Sequence, residues 1–389
     1  MRVLMFEPTG GYWPYTHELA EALGSFTQVD LLTSQKHSGV YSYGMHAILR
    51  PMAAHLRAPG TPLFGGVAWA LDRLSCSLSW LVARERLAGK LRPDLVHLQS
   101  TIPLFDQYLL PAFAKKYPVL YTVHDVLPFT SSRAFGSFAA LQAVYNASWH
   151  LIVHSEANRR ELLAVFGMDE GKISVIPHGL RRGEKLNKNL AKKRLSFAPE
   201  EKLILVFGGI RESKGLDLAI GALAEVRREF PQASLVVAGS GGNADLAWYH
   251  RLAQEAGVAE KIHWRLEYIP ELEVGTYFSA ADLVLLPYKK FHAQSGVLLQ
   301  AYKYSVPVVV TDRGALGETV RQDRVGLVAR EATAQKLAEC IVRIFRSRDL
   351  QAEFSQNMHE GQEKYDWDNV AARTMALYEQ LMKSGIHQV

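Results

Sequence analysis

The stretch Leu203-Ile204-Leu205-Val206-Phe207-Gly208-Gly209-Ile210-Arg211-Glu212-Ser213-Lys214-Gly215 decides the fold. Its first five residues form an unbroken apolar run, the mark of a strand buried on both faces. Two glycines end the run, and an amphipathic helical pattern over 216–230 follows. Strand, glycine loop and helix in that order make the repeating unit of a parallel α/β sheet. Glycines let a ligand approach the backbone, and free N–H groups at a helix start favour an anion. Arg211 and Lys214 add two charges three residues apart, which suits a diphosphate. In open α/β sheets, ligands bind outside the carboxyl ends of the strands, where this loop lies. The competing reading is a solvated helix start with a surface lysine.

The same alternation runs outward in both directions. Downstream, 235–238 is a strand ending in Gly239-Ser240-Gly241-Gly242, and 283–286 and 308–310 are further strands. Upstream, RVLMF at 2–6 is a buried strand, followed by Thr9-Gly10-Gly11 and a helix over 17–23. Strands are expected at 29–32, 94–98, 119–123 and 151–153. Between the two series, residues 181–194 hold seven Lys or Arg and one Glu with no long apolar run, which reads as a joining segment. The expected organisation is an N-terminal domain over 1–182, a linker over 183–199 and a C-terminal domain over 200–365. A last helix within 366–389 is placed to pack back on the first domain. Both domains read as Rossmann-like and doubly wound.

Composition narrows the class. The chain has 389 residues, of which 48% are hydrophobic and 21% charged, so it forms cores and is not disordered. A net charge of +5 over that length is too weak to argue for nucleic acid. Cys76 and Cys340 alone make neither a disulfide framework nor a cysteine-built zinc site, and fit a reducing compartment. The N-terminus opens on a strand without a signal-peptide pattern, and no run of 18 apolar residues occurs. The glycine loops lack the Gly-Lys-Ser/Thr ending of a Walker A sequence. The first strand exit is not a G-x-G-x-x-G fingerprint, which counts against a nicotinamide enzyme.

Three further places can carry chemistry. His124, followed by Asp125, leaves the strand over 119–123, where a histidine can hydrogen-bond a sugar hydroxyl or move a proton; the alternative is a histidine satisfied by local backbone. Pro177-His178-Gly179 closes the first half, with a plain turn as the alternative. Gln294-Ser295-Gly296 opens a helix that carries Gln300, and offers amides and a hydroxyl to a phosphate or sugar. There the alternative is an ordinary helix capped by Ser295.

Taken together these pieces resemble glycosyltransferase family 4, the retaining nucleotide-sugar enzymes of the GT-B fold. The carriers, in the family's order, are Gly10-Gly11, HDVLP at 124–128, IPHGL at 176–180, FGGIRESKG at 207–215, AGSGG at 238–242, SAADLVLLPY at 279–288 and SGVLLQAYKYSVPVVVTDRGALGE at 295–318. The resemblance implies that the first domain holds the acceptor and the second the nucleotide sugar. It implies Arg211 and Lys214 on the donor diphosphate, His124 near the donor sugar, and Gly11 close to the diphosphate and acceptor. Gly209, Gly239, Gly241, Gln294, Ser295, Gly296 and Gln300 are the further donor-binding candidates. The family usually carries two Glu eight residues apart where this chain has His292 and Gln300; Gln can still bond ribose hydroxyls but lacks the charge.

The resulting expectation is a retaining transferase that moves a sugar from a nucleotide diphosphate sugar to a glycan, a lipid-linked acceptor or a small molecule. It needs no cofactor and no metal, since Arg and Lys take the cation's place. The alternatives are a GT-B epimerase or hydrolase, and a catalytically silent sugar-nucleotide-binding subunit. The expected location is the cytoplasm or the inner membrane face. Residues 62–82 and 181–194 suit peripheral membrane contact; a core helix and a solvated linker are the other reading.

Overall fold

A computed structural model of the chain describes residues 1–34, 42–47, 64–102, 105–126, 137–180, 183–242, 244–290 and 295–384. Two compact units divide it: unit 1 is Met1–Gly179 with Asp366–Val389, and unit 2 is Leu180–Tyr365.

Unit 1 runs β1 (Arg2–Glu7), α1 (Trp13–Leu23), β2 (Gln28–Thr33), β3 (Gly44–Ala47), α2 (Phe64–Leu91), β4 (Leu95–Leu98), α3 (Asp106–Ala114), β5 (Val119–Thr122), α4 (Ser137–Ala147), β6 (His150–Val153), α5 (Glu156–Phe166) and β7 (Ile173–Val175). The sheet order is β3-β2-β1-β4-β5-β6-β7, and every pairing is parallel. β1 sits inside the sheet with Val3, Leu4, Met5 and Phe6 wholly buried. Its two faces feed two cores: Leu4 and Phe6 pack with Trp80 and Phe113, Val3 and Met5 with Leu19 and Leu23. Burial on both faces is why an apolar run, not an alternation, encodes this strand.

Unit 2 runs α6 (Lys188–Arg194), β8 (Lys202–Phe207), α7 (Leu216–Arg227), β9 (Ala233–Ala238), α8 (Leu246–Glu255), β10 (Ile262–Arg265), α9 (Glu271–Ala280), β11 (Leu283–Leu286), α10 (Gly296–Tyr304), β12 (Val308–Thr311), α11 (Ala315–Asp323), β13 (Gly326–Ala329), α12 (Ala334–Arg346) and α13 (Arg348–Gly361). Its sheet, also parallel, is ordered β10-β9-β8-β11-β12-β13. The order reverses at β8 and β11, which makes their exits a topological switch point. The chain then returns to unit 1 as α14 (Trp367–Lys383), whose Trp367, Val370, Leu377, Tyr378 and Leu381 complete the core around Met5 and Leu19.

Residues 183–199, read as a linker from their charge, lie inside unit 2. α6 is capped by Asn187 Oδ1, which accepts from Asn189 N at 3.0 Å. Ala191 and Phe197 join the unit 2 core. Lys192 is only 3% exposed, and its ammonium meets Asp282 Oδ2 at 3.2 Å and Pro199 O at 3.1 Å. Charge density misled here because a long basic side chain can bury its stem and pair its head.

Candidate functional site

Sequence-derived candidates fall in both units. In unit 2, the exits of β8 and β9 are laced together. Gly208 N donates to Ala238 O at 2.8 Å and Ile210 N to Ser240 O at 2.9 Å. Gly239 takes φ +142°, and a Cβ there would collide with Gly208 O. A side chain at 239 would therefore push the two loops apart.

Beside them, Lys214 Nζ donates to Tyr288 Oη at 2.8 Å and lies 4.3 Å from the centre of its ring. Ser295 Oγ is 3.5 Å from the same phenol oxygen and caps α10 by accepting from Leu298 N. A Cβ on Gly208 would stand 3.7 Å from Val297 Cγ2 and 4.0 Å from Lys214 Nζ. The Gly208 backbone, Lys214, Ser295 and the first turn of α10 thus meet at one place. Free N–H groups of that turn, a lysine and a hydroxyl suit an anion. Arg211 is exposed three residues before Lys214, and among the described residues no carboxylate bonds either cation.

The exits of β8 and β9 border a cavity of about 810 Å³ lined by Gly209, Arg211, Ser240, Gly242, Trp248 and Lys289, among others. That volume suits a cofactor- or nucleotide-sized ligand. The α8 N-terminus at this cavity is capped by a carboxylate, Asp245 Oδ1 accepting from Trp248 N at 2.9 Å, and that negative charge disfavours an anion there. The cation that lines the cavity at the exit of β8 is Arg211. Lys289 pairs with Asp217 at 2.7 Å, so its charge is partly spent. Gly241 is buried at the loop, Gly296 is exposed at the α10 start, and Gln300 is buried one turn further along α10. Gln294 and His292 lie outside the described residues.

In unit 1, the exit of β1 is shaped by Glu7. This wholly buried carboxylate accepts from Thr9 Oγ1 at 2.6 Å and from Gly10 N at 2.8 Å. Gly10, at φ +71°, makes the left-handed turn. Gly11 is exposed, and its N donates to Thr9 Oγ1 at 3.2 Å.

His124 differs from its sequence reading. It is buried, its ring stacks on Tyr12 at 4.1 Å, and both ring nitrogens are engaged. Nε2 lies 3.1 Å from the Gln99 amide and Nδ1 3.1 Å from His154 Nε2. A histidine with both nitrogens held by protein has none left for a sugar hydroxyl or a travelling proton. Burial, with neighbouring histidines adding to it, also holds its pKa well below the ordinary value. His154 is lowered to about 4 by burial, against the bond to the Ile176 carbonyl. These rings are neutral at neutral pH. His178, from the turn at the end of unit 1, joins the cluster 5.4 Å from His154, and its Nδ1 lies 2.7 Å from Gly179 O.

Sequence reasoning missed Glu7, Gln99, His154 and Tyr288. Glu7 and Tyr288 had a signal, a polar group at the exit of a buried strand. Gln99 and His154 had the same signal at the exits of β4 and β6, but their pairing had none, because their partners sit on other strands. Among the described residues no group of three or more potential ligands could hold a metal ion, and no helix is long and apolar enough to cross a membrane.

Comparison with known proteins agrees with this architecture. A family model described as Glycosyltransferase Family 4 matches residues 9–182, and one described as Glycosyl transferases group 1 matches residues 187–361. A D-inositol 3-phosphate glycosyltransferase 2 of Catenulispora acidiphila is 26% identical over 245 residues, 60% of this chain and 57% of that protein. The chain thus spans under two thirds of that relative's length. A glycogen synthase of Mycobacterium tuberculosis is 25% identical, with 97% of this chain and 94% of that protein aligned. The sucrose-phosphate synthase of Thermosynechococcus elongatus superposes with a TM-score of 0.75 at 19% identity, covering 99% of this chain and 100% of that one. Anabaena HepE, solved with UDP, gives 0.71 at 16% identity, covering 98% and 100%. These two likenesses concern the fold alone. With the two family models covering successive halves, two parallel Rossmann-like sheets and glycine-lined strand exits, the chain belongs to glycosyltransferase family 4, with the GT-B fold.

Proposed function

We propose that the protein transfers a sugar, with retention, from a nucleotide diphosphate sugar held by unit 2 to an acceptor held by unit 1. The observation that carries this is the pair Arg211, which lines the cavity, and Lys214, which stands beside the α10 N-terminus, neither paired with a carboxylate among the described residues. In the reaction, the bond between the anomeric carbon and the diphosphate oxygen breaks. The acceptor oxygen bonds that carbon from the same face, and its proton passes to the leaving phosphate. Negative charge grows on the diphosphate as the bond stretches, so cations and helix amides fixed there lower the barrier. Arg211 and Lys214 supply the charge without a metal. Gly209, Gly239 and Gly241 admit the nucleotide, while Ser295, Gly296, Gln294 and Gln300 address phosphate, sugar and ribose. Gly11 lies on the acceptor side. His124 shapes the sugar side as a fixed neutral ring, not as a proton carrier. The fold neighbour HepE is known in complex with UDP, and a uridine donor is therefore the first to try.

A thermal-shift panel of UDP-, GDP- and ADP-sugars, followed by product analysis with and without acceptors, tests the reading. At a hundred times its dissociation constant the true donor adds about 2.7 kcal/mol of stability. Stabilisation by none of the three classes sinks it. Hydrolysis or epimerisation without transfer selects the alternative enzyme, and binding without turnover selects a silent subunit.

We further propose that α2 rests on an anionic lipid surface. Leu71, Leu74, Leu78 and Val82 are 60%, 43%, 45% and 46% exposed at spacings of three and four, and Arg86 and Lys90 are exposed further along the helix.

A further inference from the structure

We infer that Tyr378, His97, Gln99 and His154 are positioning residues that hold His124 in one tautomer through a one-way chain of hydrogen bonds, with the Gln99 NH2 group facing His124 and its oxygen facing His97. The inference rests on the sugar-transfer reading only for its kinetic consequence.

The chain crosses the exits of four adjacent strands and ends on α14. Tyr378 Oη is 2.6 Å from His97 Nδ1. His97 Nε2 is 2.7 Å from Thr122 Oγ1 and 3.2 Å from the Gln99 amide. The amide end placed as Gln99 Oε1 is 3.1 Å from His124 Nε2, with Gln99 Nε2 placed toward His97; His124 Nδ1 meets His154 Nε2 at 3.1 Å, and His154 Nδ1 meets Ile176 O at 3.0 Å. All five side chains are buried.

A carbonyl only accepts, so His154 Nδ1 carries a proton. If His154 is neutral, its Nε2 is a lone pair, and His124 Nδ1 must donate to it. A neutral His124 then has its lone pair at Nε2, which requires a donor: the Gln99 NH2 group. The Gln99 oxygen is left facing His97 Nε2, and an N–H there serves both that oxygen at 3.2 Å and Thr122 Oγ1 at 2.7 Å, the hydroxyl accepting. His97 Nδ1 is then an acceptor, and Tyr378 donates to it. Every contact is satisfied, and every ring is neutral.

The two ends of a carboxamide have the same shape, so proton count decides between its orientations. With Gln99 Oε1 toward His124, the chain needs one more proton, an imidazolium at His124 or His154. Both rings are buried, and among the described residues no carboxylate bonds either. Their neighbours are Tyr12, Tyr15, His178 and each other. An uncompensated buried cation is the costlier choice. Tyr12 stacks flat on the His124 ring and holds its plane, while the hydrogen-bond partners set its tautomer.

Long-range proton–nitrogen NMR of the full chain labelled with nitrogen-15 histidine tests this at pH 7.5, with single His→Gln variants for assignment. The expected pattern is Nδ1–H only for His124 and His154 and Nε2–H only for His97. An imidazolium at His124 or His154, or Nδ1–H at His97, overturns the assignment. Gln99→Glu provides the second arm. A carboxylate accepts from both sides, so it should draw a second proton onto His124. If oxygen already faced His124, that ring would be unchanged. With folding confirmed by thermal melts, Gln99→Glu and the uncharged Gln99→Met should each lower kcat at least ~10-fold with donor KM nearly constant, given that about 1 Å of misplacement can cost ~10²-fold. Unaltered kcat in both variants overturns the positioning role. The sugar-transfer reading itself fails only if the wild-type chain transfers from no nucleotide sugar, which leaves the nitrogen pattern standing.

Discussion

Arg211 and Lys214 leave one strand exit three residues apart and are held differently. Arg211 is exposed, whereas Lys214 is half-buried and oriented by the Tyr288 phenol. If both hold the leaving diphosphate, each matters more in the transition state than in the ground state. Arg211→Ala and Lys214→Ala are each expected to lower kcat by ~10²–10³, as a lost oxyanion donor does. The double variant should lose less than the product, because both act on one group. Melting temperatures should stay close to wild type, since neither side chain fills a core. Near-normal kcat in both folded variants at saturating donor would leave a solvated helix start as the better account. These two were legible because they follow a strand and precede a helix within eight residues. His124 was legible as a strand-exit histidine but not in its role, since both its ring partners arrive from other strands, Gln99 from the end of β4 and His154 from the end of β6.

At the scale of elements, legibility followed position in the sheet. The strands read in advance are interior strands, where burial on both faces leaves a continuous apolar run. The four not read are β3, β7, β10 and β13, the edges of the two sheets. Edge strands such as Gly44–Ala47 carry too few apolar residues to stand out. α2 is the opposite case, with more apolar residues than its core contact explains. Trp80, Arg84 and Ala88 face inward, and the leucine stripe faces water. If the stripe meets lipid, liposomes containing anionic phospholipid should float the protein at low and high salt. Leu74→Ser with Leu78→Ser should cut the bound fraction more than ~10-fold, since each leucine contributes about 1.5–3 kcal/mol on burial. Surface substitutions of this kind should leave the melt within about 0.5 kcal/mol of wild type. No flotation of the wild-type chain at either salt would end the idea.

At the scale of the whole molecule, the two units depend on the chain unequally. Unit 2 is one continuous segment with its own cores, and its first and last residues meet: Leu180 N donates to Tyr365 O at 2.7 Å. The cavity and both cations belong to it. Unit 1 is assembled from two segments, and α14 supplies it with Trp367, Val370 and Tyr378. Losing one such aromatic alone costs about 3–5 kcal/mol, a large share of the stability of any domain. A fragment of residues 180–365 is therefore expected to melt cooperatively and to bind the donor nucleotide within about threefold of the full chain, or ~0.7 kcal/mol. It should show no transfer, because the acceptor unit is missing. A fragment of residues 1–179 should fail to melt cooperatively and should recover only when α14 is restored. Calorimetry and nucleotide titration of the two fragments decide this. If 180–365 folds but does not bind the nucleotide that stabilises the intact protein, donor recognition does not reside in unit 2 alone.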